Sequence, residues 1–540
     1  MDRIDYKILL KAKQGAMREL LGAEIADCRD LMLIKRVVAK KYSLPIFSNA
    51  EILKELSFKN PEFNFLKRLL RKRAVRTMSG IAPVAVLTKS YPCPGKCAYC
   101  PTEKDVPQSY LSNEPAVMRA IRCGYDPYIQ VQDRLRALLA NGHEPTKIEL
   151  IVIGGTWSCL PVKYKYWYVL SLFAAANRFK ISSSQSLNQF SIALPLEKIK
   201  KLLLIEQKKN EMTKYQIVGL TLETRPDFID KKELEQMREL GCTRVELGVQ
   251  HLDDAVLKLN KRGHGVKEIA DATAILKNYG FKITYHIMPG LPGSTLTKDF
   301  RMYQKLFKDW RFQPDQIKFY PCVVTKGSLL YRWWKQGKYH SYSDKQLRDL
   351  IIKCKKATPE YARIIRLIRD IPGESIIAGN KITNLRQVMK DEGVECRCIR
   401  CREIKNNKDT AEGSHPLRDW KLTTVYYTAS SGTEYFIQAS TKDTDQLLGF
   451  CRLRITPAKR HYFSCAIIRE LHVYGELVPI GKDKKIQHAG LGRILMSEAE
   501  KIAREAGCKK ISVISGVGVR GYYRKLGYRL DGTYMRKKLE

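Results

Sequence analysis

Acidic residues are scarce in this chain. Against 96 Lys and Arg stand 56 Asp and Glu, so 540 residues carry a formal net charge of +40. An excess of that size repels itself unless a polyanion is near, which disfavours basic protein partners and favours nucleic acid. Long apolar runs are also missing. None reaches the roughly 20 residues that a membrane span needs. The first ten residues mix charges with apolar residues and show no secretory core, so a cytoplasmic protein is expected. There is no repeat of fixed period and no low-complexity tail, which sets solenoids and disordered arrays aside. What remains suits a large folded protein. Hydrophobic residues are 44% and charged residues 28%, and the length suggests three or four domains.

The basic excess is dense near the start. From Leu31 to Gly80 there are 12 Lys and Arg against three Glu. Residues 1–80 read as a basic helical region, because Ile52, Leu53, Leu56, Phe63, Leu66, Leu69 and Leu70 recur at helical spacing. Arg68, Arg71, Lys72, Arg73 and Arg76 interleave with them, and a helical face of cations suits a phosphate backbone.

From residue 81 short apolar runs alternate with helical stretches. The expected strands are Pro83–Leu87, Glu149–Ile153, Gln216–Leu222, Arg244–Val249, Lys282–Ile287 and Gln316–Tyr320. That rhythm predicts an α/β domain over 81–330, a partial (β/α)6 barrel with polar residues at the carboxyl ends of its strands. The stretch 178–214 reads as a helix plus a lysine-rich surface loop. Residues 331–415 read as a linker holding a cysteine cluster, and 416–540 as a separate mixed α/β domain.

Fifteen cysteines without an export signal argue against a disulfide framework. Six of them cluster and the other nine read mostly as buried small hydrophobes. The first cluster is Cys93-Pro-Gly-Lys-Cys97-Ala-Tyr-Cys100, just after an expected strand. Three thiolates on one loop can hold three irons of a four-iron cluster and leave the fourth open to a bidentate ligand. The second, Cys396-Arg-Cys398-Ile-Arg-Cys401, suggests structural Zn2+ with a fourth ligand from Cys322, Cys354, His340 or His415.

The first cluster, with Tyr99 before its last cysteine, closely resembles the radical S-adenosylmethionine (SAM) pattern. In that family a [4Fe-4S] cluster binds SAM at its open iron and cleaves it to a 5′-deoxyadenosyl radical. The resemblance places Gly154 and Gly155 after the second strand as the cofactor-approach glycines, and Glu223, Arg225 and Gln250 at the cofactor cavity. Further on, Gln487-His-Ala-Gly490-Leu491-Gly492-Arg493 resembles the pyrophosphate loop of GNAT-type acetyltransferases, where glycines and a helix amino end receive acetyl-CoA. That resemblance implies that the strand through Glu470, Leu471, His472 and Val473 holds the pantetheine arm. It makes Tyr523, with Tyr522 beside it, the acid for the departing thiolate.

Both parts in one chain resemble the family of the catalytic subunit of Elongator. The matched stretches include Arg76-Thr-Met-Ser-Gly, Glu114-Pro-Ala-Val-Met-Arg-Ala, Leu222-Glu-Thr-Arg-Pro-Asp, Leu259-Asn-Lys-Arg-Gly-His, Cys396-Arg-Cys-Ile-Arg-Cys-Arg-Glu and Glu470-Leu-His-Val-Tyr-Gly. The first cysteine spacing is tighter than that subunit's and points to an archaeal or bacterial-like form that acts without other Elongator subunits. The resemblance implies an enzyme that builds 5-carboxymethyluridine at the wobble uridine of tRNA. The radical activates the methyl group of acetyl-CoA, the carbon adds to C5, and the thioester is then hydrolysed. It further implies that Lys147 contacts acetyl-CoA from the barrel side and that the anticodon stem-loop binds the basic N-terminal region. An external electron donor is required, and a homodimer is an option. The alternative is a protein lysine acetyltransferase that uses acetyl-CoA alone.

Overall fold

A computed structural model of the chain describes residues 3–56, 63–71, 79–180, 187–382, 384–404, 419–457, 465–475 and 490–539. It divides into two compact units. The first, residues 1–77 and 133–145, is helical where described, with helices Arg3–Gly22, Cys28–Lys41, Asn49–Glu55 and Asn64–Leu70. Asp27 caps the second helix, and Ser48 forms a capping box with Glu51 on the third. Leu20, Leu31, Val38, Ile52, Leu53, Leu56, Leu66 and Leu70 close into its core, with Phe63 and Leu69 packed partly against it; those from Ile52 on are the residues read at helical spacing.

The second unit holds two sheets of seven strands and a small ribbon. The first sheet is wholly parallel. Its strands are β1 (Ala82–Leu87), β2 (Lys147–Ile153), β3 (Gln216–Thr224), β4 (Arg244–Gln250), β5 (Lys282–Ile287) and β6 (Gln316–Phe319). The ribbon strand β7 (Val324–Thr325) follows, and then β8 (Arg363–Arg366). The order is β1-β2-β3-β4-β5-β6-β8, each in parallel register with the next. A seventh strand is therefore added to the six expected, and it comes from the stretch read as linker. Its Ile364 pairs with Ile317 and is buried, so the apolar residues inside that Arg-rich run were the signal. The ribbon's second strand is β9 (Ile376–Ala378).

The second sheet is formed by β10 (Trp420–Ala429), β11 (Gly432–Thr441), β12 (Leu447–Ile455), β13 (Ala466–Val473), β14 (Lys510–Val513), β15 (Arg529–Asp531) and β16 (Tyr534–Lys538). It is antiparallel except between β13 and β14, which run parallel for Ala466–Ile468 only. Beyond Ile468 the two strands part. Helix Leu491–Glu505 packs on this sheet through Leu491, Leu495, Met496, Ala499 and Ala503. One disulfide, Cys465–Cys508, spans a Cα–Cα distance of 5.9 Å, and the remaining cysteines are free thiols. Two of the nine scattered cysteines, read mostly as buried small hydrophobes, are thus paired, and a single pair is no framework.

The second sheet docks against the amino ends of the first sheet's strands, through charges. A bulge between β12 and β13 leaves Arg469 as an extra residue. Its guanidinium reaches Asp315 just ahead of β6 and Glu434 of β11, at 3.0 and 2.7 Å. Arg454 reaches Glu434 at 3.1 Å and Asn278 at 2.7 Å. Lys282, the first residue of β5, pairs with Glu470 of β13 at 3.2 Å. Cations and carboxylates here satisfy each other away from water, which is the condition for burying them.

Candidate functional site

The first cysteine loop leaves the carboxyl end of β1. Cys97 is buried, and Cys93 and Cys100 are partly so. The loop is pinned by two backbone bonds, Ala98 N–H to the Asn260 carbonyl at 3.0 Å and Leu330 N–H to the Ala98 carbonyl at 2.7 Å. Arg262 donates to the Cys97 sulfur at 3.3 Å. A bond from the Cys100 thiol, with Arg262 behind it, outweighs burial and holds Cys97 down at about 5. Its partner Cys100 is pushed up by that same bond and by burial. The loop thus favours a thiolate before any metal is considered.

The glycine pair follows β2. Gly154 has φ +132, and a Cβ there would collide with Thr88, so only glycine fits between the two strand ends. Thr156, next along, lies 3.8 Å from the Cys93 sulfur. Glu223 at the end of β3 accepts from Tyr110 at 3.1 Å and lies 3.5 Å from His286 Nδ1. Arg225 is fixed in a fork by Asp227, at 2.9 and 2.7 Å, and a Cβ on Gly95 of the cysteine loop would strike its guanidinium. Gln250 sits at φ +69 at the end of β4. Of the expected cavity residues, Arg225 lies against the cysteine loop, while Gly154, Glu223 and Gln250 stand at or just past the carboxyl ends of β2, β3 and β4.

Several buried polar atoms here lack a partner: the Tyr99 hydroxyl, Arg225 Nη1, Gln250 Oε1 and both ring nitrogens of His264. Burial, with Arg262 nearby, pushes His264 down to about 4, so its ring is neutral. Orphaned donors and acceptors around a thiolate loop fit a polar ligand with amino, carboxylate and hydroxyl groups, since unpaired buried groups of this kind are costly. The residues present fit an iron–sulfur cluster with SAM.

Below the loop, the concave side of the sheet is charged, a feature the sequence reading missed. Glu246 of β4 accepts from His286 of β5 at 2.8 Å and from Lys318 of β6. Arg244, two residues before, reaches Glu149 of β2 at 2.9 Å. Burial would raise Glu246, but Lys318, His286 and Arg244 hold it well below the usual carboxylate range. These residues meet across adjacent strands (Glu246–His286) and across the next but one (Glu246–Lys318, Arg244–Glu149), and they alternate along each strand. Polar residues two apart, 244 and 246, 284 and 286, 316 and 318, were the available signal.

At the other end of the strands lies the second candidate region. Lys147 opens β2, six steps from Ile153, so roughly 20 Å separates it from the glycine end. Burial brings its ammonium down to about 8. It lies at the end of the sheet against which β13 docks. Burial raises Glu470, but Lys282 and Arg452 outweigh it and hold the carboxyl at about 2. The His472 ring bonds the Ser79 carbonyl at 2.9 Å. Leu471 and Val473 follow on β13 beyond Ile468, where its pairing with β14 has ended. Gly490 caps helix Leu491–Glu505 at φ +85 and, as glycine, brings no side chain to its first N–H groups, which at a helix amino end are donors suited to an anion. Leu491 is buried in the core, Arg493 N–H bonds the Gly490 carbonyl at 2.9 Å, and a Cβ on Gly492 would lie 2.7 Å from the Tyr522 hydroxyl. Tyr523 is buried with its ring centroid 5.4 Å from that of Tyr522. Burial raises both phenols, Tyr522 to about 12 and Tyr523 further. Gln487 lies outside the described residues.

The second cysteine loop is tighter. The sulfurs of Cys396, Cys398 and Cys401 all lie within 4.8 Å of one another. Tetrahedral Zn–S bonds of about 2.3 Å put sulfurs about 3.8 Å apart, so the spacing suits a single ion. Among the described residues no fourth Cys, His, Asp or Glu joins the group. Cys322 instead packs in the core that holds Cys97 and Tyr99, because it follows β6 at the carboxyl end of the sheet. Cys354 is buried in the helix Asp344–Lys356 and His340 is exposed. His415 lies outside the described residues. The loop ties β8 to the second sheet, through Arg363–Glu403 at 2.7 Å and Ile404 N–H to the Leu447 carbonyl at 3.1 Å.

Of the N-terminal cations, Arg71 donates to the Gly142 carbonyl at 3.1 Å, and Arg68 lies over the Phe65 ring. Lys72, Arg73 and Arg76 lie outside the described residues. No helix among the described residues is long and apolar enough to cross a membrane.

Comparison with known proteins bears on all of this. Residues 88–303 match the Radical SAM superfamily, 314–393 the Radical SAM C-terminal domain and 401–528 the Acetyltransferase (GNAT) family. The chain is 40% identical to a tRNA uridine(34) acetyltransferase of Methanocaldococcus infernus, over 97% of this chain and 98% of that one. It is 42% identical to one of Dehalococcoides mccartyi, over 87% and 100%. The human Elongator complex protein 3 is 38% identical, over 95% and 93%. A solved structure of the archaeal M. infernus Elp3 with an N-terminal deletion superposes with a TM-score of 0.71 at 38% identity, covering 86% of this chain and 100% of that one.

Proposed function

The chain belongs to the Elp3 family of radical-SAM/GNAT fusion proteins, and from that premise we propose how its parts serve one reaction. The protein is a tRNA uridine(34) acetyltransferase of the Elp3 type. The observation that carries the reading is that the acetyltransferase sheet is docked onto the radical-SAM sheet through buried ion pairs, with Lys282–Glu470 at 3.2 Å, so both parts form a single compact unit.

Cys93, Cys97 and Cys100 hold the iron–sulfur cluster. Gly154, Gly155, Glu223, Arg225 and Gln250 receive SAM. When bound, cluster and SAM supply one-electron hydrogen abstraction, and acetyl-CoA supplies the two-carbon unit that becomes the carboxymethyl group at C5 of the wobble uridine. The chain's own residues do the rest. Arg262 stabilises the Cys97 thiolate. Glu223, backed by Tyr110 and His286, keeps a carboxylate at the cavity. The opening of β13, with Leu471 and Val473, accepts the pantetheine arm. Gly490, Leu491, Gly492 and Arg493, with Gln487, cradle the pyrophosphate, and Lys147 meets the cofactor from the radical-SAM side. Tyr523, with Tyr522, donates the proton to the departing thiolate; both phenols are protonated at neutral pH, and the burial that raises them makes them weaker acids that give up the proton only to a strong base such as the thiolate as it forms. Zn2+ held by Cys396, Cys398 and Cys401 fastens the connecting segment. Arg68, Arg71, Lys72, Arg73 and Arg76 position the tRNA anticodon stem-loop by its phosphates. A target in a single-stranded loop is reached at little unpairing cost.

The test uses anaerobically reconstituted protein, acetyl-CoA, SAM, a reductant and unmodified tRNA, with mass spectrometry of the wobble nucleoside. A carboxymethyl gain that needs both cofactors is expected. No nucleoside change, alongside SAM-independent acetylation of a lysine peptide, overturns the reading in favour of a protein acetyltransferase.

A further inference from the structure

In the stretch Leu259-Asn-Lys-Arg-Gly-His only Arg262 and His264 enter the chemistry above, yet the whole stretch is built against the cysteine loop. It begins at the last residue of helix Asp254–Leu259 and turns through Lys261 at φ +53. Its inward groups reach the loop. The Asn260 carbonyl accepts Ala98 N–H at 3.0 Å, and Arg262 donates to the Cys97 sulfur at 3.3 Å. Asn260 is itself fixed, donating to the Val256 and Pro292 carbonyls at 2.8 and 2.9 Å. Its outward groups face solvent. Leu259 is 48% exposed, and Lys258 and Lys261 on either side are exposed. Lys96, next to Cys97, is exposed, and so is Lys298, whose ammonium bonds the Gly293 carbonyl at 3.3 Å. Gly293 in turn abuts Leu259, since a Cβ there would lie 2.8 Å from Leu259 Cδ2. Asp253 and Asp254 of the same helix are turned to backbone N–H groups of Ala255 and Val266, at 2.9 and 2.7 Å.

We propose that this surface, Leu259 ringed by Lys96, Lys258, Lys261 and Lys298, is the docking site for an acidic one-electron carrier protein that reduces the cluster. The inference rests on the reading that the cysteine loop holds a redox cluster, which iron and sulfide content tests separately. Electron transfer weakens steeply with distance, so the carrier must approach where little protein intervenes. Here one residue, Asn260, separates exposed Leu259 from exposed Lys261, and the next residue touches Cys97. The charge fits. A ring of cations steers an acidic partner and speeds its encounter, while a central exposed apolar residue gives the contact its dry core. RNA is the less suited occupant, because the centre of the patch is the exposed aliphatic Leu259, which neither bonds a phosphate nor stacks on a base as an aromatic would. The step is one electron out of the carrier and one into the cluster, with no bond made or broken.

The experiment compares the reconstituted protein with K258E/K298E and with Leu259→Ser. Stopped flow follows cluster bleaching by reduced flavodoxin, and separately by dithionite, which needs no docking surface. The expected result is a bimolecular rate with flavodoxin at least tenfold lower in the charge-reversed variant and nearly independent of salt. Dithionite reduction and tRNA affinity should be unchanged. An unchanged flavodoxin rate overturns the proposal, and so does a loss of tRNA affinity with the flavodoxin rate intact. Calorimetric binding of oxidised flavodoxin to the cluster-free proteins decides the matter if a variant takes up less iron. Weaker binding than wild type supports the site, and equal binding overturns it.

Discussion

Replacing Glu434 by Gln tests whether the buried charges between the two sheets hold the unit together. Glu434 is 1% exposed and faces three cations, Arg469 at 2.7 Å, Arg454 at 3.1 Å and Lys277 at 3.5 Å. Burial raises its carboxyl and Asp315 adds repulsion, but the cations prevail and bring it from 4.5 to about 2. That drop is worth roughly 3 kcal/mol at neutral pH. Removing one partner from a buried ion pair costs about 3–5 kcal/mol by the independent route of an uncompensated charge. Both routes agree, and the amide of Gln, which still accepts one bond, favours the lower figure. The sign follows from the depressed value. The stabilisation is fully present above about 4.5, the ordinary value, and is lost as pH falls through about 2. Urea unfolding followed by tryptophan fluorescence should therefore show E434Q less stable than wild type by about 3 kcal/mol at pH 7. The gap should close to roughly half of that near pH 3, because the carboxyl of the unfolded chain, at its ordinary value, has by then taken up a proton while the folded one has not. A gap under about 1 kcal/mol, the range of an exposed pair, or a gap that does not change with pH, would refute the reasoning.

Cys97→Ala should lower bound iron and abolish SAM cleavage while far-UV circular dichroism stays native; normal cleavage would remove the cysteine loop from the chemistry. Tyr523→Phe should slow acetyl-CoA turnover at least tenfold with iron content unchanged, and equal turnover would pass the proton-donor role to Tyr522, whose hydroxyl stands at Gly492. Cys398→Ser should release one equivalent of zinc, read by elemental analysis, and lower the midpoint of thermal unfolding, because the loop links β8 to the second sheet.

Much of the architecture was legible because its signals are local. Helical spacing in residues 52–70 and short apolar runs from residue 81 each report on their own stretch of chain. Motif residues such as Cys93, Gly154, Glu223 and Gly490 were legible because chemistry fixes their spacing. What could not be read depends on which strands become neighbours. Arg363–Arg366 looks like a basic linker until Ile364 is set beside Ile317. Cys322 is a fair zinc ligand until the parallel order carries it to the end of the sheet that holds Cys97. Nothing in the sequence around Arg469 shows that the bulge in β13 turns it onto Asp315.

The charged concave face joins these observations. In a closed barrel the interior is packed with branched apolar side chains. Here β1 and β8 are not paired with each other, and the sheet has the reverse allocation. Val245, Leu247, Ile283, Tyr285, Ile317 and Phe319 are buried at the alternate positions of β4, β5 and β6, while Arg244, Glu246, His286 and Lys318 meet one another across the arc. Period-two alternation makes that choice for a whole strand at once, so these charges are set by register and not by isolated substitutions. An open arc whose interior is ionic spans the distance between its two ends without burying unpaired charge, since each carboxylate already has a cation. The carboxyl ends of the strands then serve the cysteine loop and the amino ends serve the acetyltransferase sheet. The ion pairs that join the two sheets extend the same arrangement beyond the arc, from Lys282 to Glu470 and on to Arg452.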